Sequence, residues 1–366
     1  MKMPTKYVVE MFIDRVAASR NYQREKYTDE SPLAYYEHGK QYHIIHEESR
    51  ELLECLLHML ADRGEGSVDA FITALGGSKV TVKVKNPYFE DMDSYYGLIN
   101  EGKTAVIEMA SCAGLPLVED RKDPRKTTTY GVGQLILAAA ESGVEKIIVG
   151  LGGSSTNDGG CGAAAAVGVK FYDRDGKEFV PTGGTTADIC KIDLSGKAEI
   201  LNKVEIVTMC DIDNPMYGPT GASHIFGPQK GADEAMVLEL DEGIKNLSRA
   251  ITEAIGKDIS EVPGTGAAGA MGAGMIAFFG SRLQMGIQTV LDTVKFDEMI
   301  SDADYIITGE GKLDSQSLRG KVVIGIAERA KKQDKNVIAV VGGADDAGTG
   351  YHHGTKGSGE DDSVEQ

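Results

Sequence analysis

The chain has 366 residues, a formal net charge of −18 and a pI near 4.9. With 41% hydrophobic and 26% charged residues it has a globular composition and length enough for two or three domains. So acidic a chain is a poor match for nucleic acid or an anionic membrane, and no window approaches the roughly eighteen apolar residues of a membrane span.

Residues 1–60 differ in texture from the remainder of the chain: they hold four of the seven histidines and one glycine. Val8–Ser19 and Glu48–Leu60 carry helical apolar spacing, so a mostly helical N-terminal extension is expected. No continuous apolar core precedes a cleavage site, so the start does not read as a signal peptide. His38, His43 and His46, beside Glu47 and Glu48, close no ligand set of clear spacing and read as ordinary histidines. Cys55, Cys112, Cys161, Cys190 and Cys210 are scattered without CxxC spacing, as for reduced thiols in a cytoplasmic protein, and Cys161 reads as a small hydrophobe.

From Ala61 the pattern is α/β. Val80–Lys85 and Tyr95–Ile99 alternate as a hairpin, and Ala105–Met109 adds a third strand. Tyr130–Ser142 reads as a helix, followed by a strand at Ile147, a glycine-rich loop and a short helix over Ala163–Val167. Phe171-Tyr172 opens another strand, Val204–Met209 is a buried one, Ala235–Ile255 a long helix, and Gly264–Phe279 a helix with a glycine-rich entry. Tyr305–Ile307, Val322–Lys332 and Val337–Val341 complete a strand, helix and strand. Residues 344–366 are rich in Gly, Asp, His and Ser and are expected to form a disordered tail.

Three buried strands each run into a polar loop bearing carboxylates. These loops are Gly150-Leu151-Gly152-Gly153-Ser154-Ser155-Thr156-Asn157-Asp158-Gly159-Gly160, then Asp211-Ile212-Asp213-Asn214-Pro215, then Glu310-Gly311-Lys312-Leu313-Asp314-Ser315-Gln316. Parallel strands of one sheet would bring such loops to one edge, where ligands bind. Glycine lets backbone N–H groups approach an anion, and the following helix N-terminus favours negative charge. Convergent carboxylates suit holding a divalent metal or taking a proton from a hydroxyl. No Walker A sequence and no HRD or DFG set is present.

GLGGSSTNDGGCGAAAAVGVKFYDRDG, CDIDNPMYGPTGASHIFGPQKGA, PGTGAAGAMGAGMIAFFGSRL and ITGEGKLDSQSLRGKVVIGIAERA, in this order, resemble the bacterial glycerate kinase family. ADRGEGSVDAFITALGG and AVIEMASCAGLPLV fit it as well, so the resemblance covers about residues 61–343. It implies transfer of the γ-phosphoryl group of ATP to a hydroxyl of glycerate, with Mg²⁺, commonly giving 2-phosphoglycerate. The implied fold is a flavodoxin-like domain with a second α/β domain inserted, the hairpin and strand at 80–109 belonging to the insertion. The three loops would face the cleft between these domains.

Within that resemblance Gly152, Gly153, Ser154, Ser155 and Thr156 would contact an anion, with Asn157 and Asp158 organising the loop. Asp211 would accept the glycerate hydroxyl proton, with Asn214 beside it. Glu310 and Asp314 would hold Mg²⁺ or its water shell, and Lys312, Ser315 and Gln316 would meet phosphate or substrate. Gly264–Gly274 would either cover a nucleotide or serve close packing. Two departures stand out. The family opens with a strand and an Asp/Ser/Lys/Gly loop that residues 1–60 lack, and Arg63 replaces a usual glycine. Residues 1–60 are instead similar to an unrelated, uncharacterised bacterial family, and the family continues beyond Val341. The chain therefore reads as a core incomplete at both ends, either an impaired kinase or a non-catalytic remnant formed by fusion or frameshift.

Overall fold

The computed structural model describes residues 67–310 and 322–341. They fall into two compact units, one running to Gly286 and one beginning at Ile287. The expected N-terminal extension and C-terminal tail lie outside the described residues.

In the first unit, α1 (Ser67–Leu75) precedes a hairpin of β1 (Ser78–Lys85) and β2 (Asp91–Ile99). β1 is an edge strand whose Lys79, Lys83 and Lys85 discourage further pairing. β3 (Thr104–Glu108) is buried at all five positions, as for a strand covered on both faces. After α2 (Ala110–Ala113), α3 (Tyr130–Glu141) packs on β1 and β2 and leads into β4 (Lys146–Gly150). α4 (Cys161–Ala166) comes after the glycine-rich loop.

β5 (Lys170–Tyr172), β6 (Glu178–Phe179) and β7 (Lys191–Asp193) form a separate antiparallel sheet. It docks through Phe171, whose ring meets Phe278 edge-on at 5.8 Å. The chain continues through β8 (Glu205–Met209), α5 (Ala222–Phe226), α6 (Glu234–Ile255), α7 (Ala267–Phe279) and β9 (Arg282–Gln284). α6 starts where Asp233 accepts the Met236 N–H and ends at left-handed Gly256. Its Leu240, Ile244, Leu247 and Ile251, at helical spacing, are fully buried, each worth about 1.5–3 kcal/mol.

The main sheet has six strands in the order β1-β2-β3-β4-β8-β9. The β1–β2 and β2–β3 pairs are antiparallel, and the remainder are parallel. Its register aligns Glu108, Gly150, Met209 and Gln284 in one row. Four strands therefore end at one edge, and the chain leaving each of them starts from the same side.

The second unit contains most of α8 (Gly286–Thr293), then α9 (Phe296–Met299), β10 (Tyr305–Glu310), α10 (Val322–Lys331) and β11 (Asn336–Val341). β10 and β11 are parallel, α10 packs on both, and Ile300, Ile306 and Ala330 form the core. The Arg329 guanidinium ties this unit together by pairing with Asp292 and Asp297 at 2.7 and 2.9 Å.

One expectation changes. The strands behind the three polar loops do not share one sheet: β4 and β8 are neighbours, whereas β10 pairs with β11 separately. An apolar run ending in a polar loop marks the carboxyl end of a buried parallel strand and says nothing of its sheet. The 80–109 segment shares its sheet with β4 and β8, and one unit carries the hairpin and two of the loops.

The predicted helix at 264–279 begins at Ala267, and Ala268, Gly269 and Ala270 are left-handed within its first turn. Close approach to the glycine-rich loop explains this distortion. A Cβ on Gly269 would lie 2.1 Å from the Thr156 carbonyl oxygen, and one on Gly274 would lie 2.4 Å from that of Gly159.

Candidate active site

The loop after β4 dives into the molecule. Gly152 is exposed and Gly153 half-buried, but Ser154 to Gly160 are buried throughout. The Ser155 N–H and hydroxyl both donate to the Ala113 carbonyl at 2.9 Å, and its own carbonyl accepts from the Thr127 hydroxyl. Both Ser155 donors expected to meet an anion are thus engaged with the fold. Leu115 N–H donates to the Gly153 carbonyl, which fastens the loop entrance to the segment after α2.

Asp158 is the clamp of this loop. Its carboxylate, fully buried, accepts from the Thr129 N–H at 2.8 Å and hydroxyl at 2.9 Å, and from the Gly160 and Gly162 N–H groups at 3.2 Å. Burial pushes its pKa up and the four donors pull it down, with burial the larger influence. The carboxylate joins the entry of α3 to that of α4, an organising role rather than a chemical one. Asn157 Nδ2 donates to the Ser223 hydroxyl of α5 at 3.1 Å. Lys230, also buried, donates to the Thr156 carbonyl at 2.6 Å. Cys161 is fully buried, and desolvation and then Asp158 push its thiol well above the usual range, which suits packing and not nucleophilic attack.

The loop after β8 starts from the adjacent strand end and stays at the surface. Asp211 is exposed, and its Oδ1 accepts from the Gly286 N–H at 2.7 Å. Asn214 Nδ2 donates to the Thr220 carbonyl at 2.8 Å, and its own carbonyl accepts from the Gly266 N–H. Further on, Gly218 N–H donates to both oxygens of Asp241, and His224 stands 3.8 Å from the same carboxylate. Asp211 is thus an accessible carboxylate on an otherwise pinned loop.

Of the third loop, the backbone of Glu310 closes β10. The Glu310 side chain, Lys312, Asp314, Ser315 and Gln316 lie outside the described residues. No three His, Cys, Asp or Glu side chains gather into a metal site among the described residues. Gly264–Gly274, read as either nucleotide cover or close packing, here pack against the glycine-rich loop: Gly269 carbonyl accepts from the Gly159 N–H at 3.0 Å.

Sequence reasoning passed over three groups. Glu108, at the end of β3, is buried and accepts from the Val68 N–H in the first turn of α1. It stands in the register row beside Gly150, and the signal was a lone acid closing an apolar strand. Thr127 and Thr129 bond the loop at the Ser155 carbonyl and the Asp158 carboxylate, Thr128 accepts from the Tyr130 N–H at the start of α3, and a run of threonines before a helix was the signal. Lys230 lies in Gly227-Pro228-Gln229-Lys230-Gly231-Ala232, a lysine without an acidic sequence neighbour.

Comparison with known proteins agrees with this architecture. The glycerate kinase family model matches residues 41–358, and a family of unknown function (DUF5662) matches residues 1–59, so residues 41–59 fall within both. The glycerate 2-kinase of Escherichia coli (strain K12) is 46% identical over 297 residues, covering 81% of this chain and 78% of that protein. A glycerate kinase of Halalkalibacterium halodurans is 44% identical over 293 residues, covering 80% and 76%. A crystal structure described as glycerate kinase 2 from Salmonella typhimurium LT2 superimposes with a TM-score of 0.71 at 37% identity, over 82% of this chain and 85% of that one. With its family model matching well over half of its length and relatives above 40% identity, the chain belongs to the glycerate kinase family.

Proposed function

We propose that this protein phosphorylates glycerate with ATP, at the 2-hydroxyl, in the cytoplasm. The observation that carries the reading is 46% identity over 297 residues to a glycerate 2-kinase. The fold we propose for the whole is a flavodoxin-like domain with a second α/β domain inserted, to which the 80–109 segment belongs, preceded by a separate N-terminal extension (1–60) and ending in a tail (344–366). The core (61–343) carries the chemistry.

Phosphoryl transfer requires positioning and charge neutralisation more than covalent catalysis. At a net charge of −18, binding two anions, ATP and glycerate, needs local N–H donors. We assign that task to the entrance of the glycine-rich loop, Gly152, Gly153 and Ser154, with Thr156 to Asp158 shaping it from within. Asp211 accepts the proton of the attacking hydroxyl, for which an exposed carboxylate held through one oxygen is suited. Asn214 orients the substrate beside it.

Mg²⁺ enters with ATP as part of the substrate. Mg²⁺ keeps several waters and takes one or two carboxylates with the phosphates, so a protein site for it need not be a three-ligand cage. Glu310 and Asp314 would supply those carboxylates. Lys312, Ser315 and Gln316 would neutralise or hydrogen-bond phosphate oxygens. Bound Mg²⁺ would supply charge neutralisation.

The test is glycerate-dependent ADP release by the purified chain with and without Mg²⁺. Coupling to enolase, with and without phosphoglycerate mutase, distinguishes the 2- from the 3-phosphate. A second reading, a non-catalytic relative, is favoured by one observation: residues 1–59 match a different family. Folded protein that releases no ADP above the glycerate-free control would establish it.

A further inference from the structure

Lys230 takes no part in the proposed transfer, yet its surroundings are the least ordinary in the first unit. Its side chain is 1% exposed and closes the short turn Pro228–Lys230. Backbone bonds from Lys230 N–H to the Gly227 carbonyl, and from Gly231 N–H to that of Pro228, hold that turn. Gly231 is left-handed, and a Cβ there would stand 2.6 Å from the Lys122 Cβ. The turn therefore has little freedom, and the lysine stem runs inward to the Thr156 carbonyl.

Thr156 and Asn157, which share that turn of the loop, are both fully buried. Thr156 Oγ1 and Asn157 Oδ1 have no hydrogen-bond partner among the described residues. Gly269 abuts the same Thr156 carbonyl from the other side. Asp158 is the charged neighbour acting on the lysine. Burial draws the Lys230 pKa down to about 7, and Asp158 opposes that shift.

Such an arrangement is costly for a fold. A desolvated ammonium with few hydrogen bonds is unfavourable, and an apolar side chain of similar shape in its place is often neutral or stabilising. Packing alone would be better served by methionine. What methionine lacks is a donor for the Thr156 carbonyl, at a residue whose own hydroxyl has no partner among the described residues.

We propose that Lys230 is a positioning residue, gripping the Thr156 carbonyl from beneath and so setting the course of the Gly152–Ser154 backbone that receives the anionic substrate group. This rests on the reading that the glycine-rich loop meets the substrate.

Lys230→Met in the full chain tests it. Glycerate affinity, by titration calorimetry and as KM, should weaken about tenfold or more, the effect of losing a charged hydrogen bond. The value of kcat at saturation should change less, about threefold at most, and Tm should hold or rise. A variant with unaltered affinity overturns the proposal, as does one whose affinity and Tm fall together. Hydrogen exchange of the Gly152–Ser154 amides in the wild-type protein, with and without glycerate and a non-hydrolysable ATP analogue, separates the two levels. Protected amides with an unaltered Lys230→Met overturn the positioning role alone, and unprotected amides overturn the loop reading and this proposal together.

Discussion

Asp158 and Asp211 belong to loops that leave adjacent parallel strands at the same sheet edge. Asp158 is enclosed and accepts four hydrogen bonds from the entries of two helices. Asp211 is exposed and accepts one backbone N–H. The same residue type at equivalent strand ends therefore does two kinds of work. A carboxylate enclosed among buried donors is out of a substrate's reach, whereas a carboxylate fixed through one oxygen is both oriented and accessible. Donor count and burial separate the two, and the identity of the residue does not.

The largest effect is expected from Asp211→Asn. The amide oxygen still accepts from Gly286 N–H, so Tm should be unchanged, while loss of the base lowers kcat by about 10²–10⁴. Steady-state kinetics of glycerate-dependent ADP release checks this, and an Asn variant of undiminished kcat would erase the contrast from the catalytic side. Asp158→Ala attacks the other side. It leaves the Thr129 N–H and hydroxyl and two glycine N–H groups without their acceptor in a buried site. Losses of about 3–5 kcal/mol are typical when a buried charged network is broken. Urea unfolding should show that loss, and a decrease below about 1 kcal/mol would mean the carboxylate is not the clamp inferred from its bonds.

Much of the fold was legible in the residues. Alternating Val and Lys in 80–85 predicted the hairpin, and 235–255 reads as the long helix, because each pattern reports one buried face. The short strands β6, β7 and β9, of two or three residues each, carry too few positions to show a period. The left-handed turn at Ala268–Ala270 was hidden for another reason: a tertiary contact with Thr156 imposes it on two alanines that locally favour helix. The site was legible in its loops but not in their supports. Glycines and acids after a strand announce an edge. The threonine run hinted at a support, but the partners of Thr127, Thr129 and Lys230, carbonyls and a carboxylate far away in sequence, emerge only once the chain is folded.

The smallest expected effect is also the most selective, since it reads one buried group under the loop. In the unfolded chain Lys230 titrates near 10.5, and in the folded protein near 7. Below pH 7 both states carry the proton, so the full desolvation penalty is present and independent of pH. Between pH 7 and 10.5 the unfolded state holds more protons than the folded one, and folding stability gains with rising pH. The gain approaches at most about 1.4 kcal/mol per pH unit. Urea unfolding of the wild-type protein and Lys230→Met at about pH 6, 7.5 and 9, without substrate, reads this contribution by difference, together with its coupling to Asp158. The wild-type stability should climb relative to the variant across that range. A flat difference would mean that the ammonium is solvated or paired more fully than its one bond to Thr156 indicates, and the enclosed loop would then be less sharply set apart from the open one beside it.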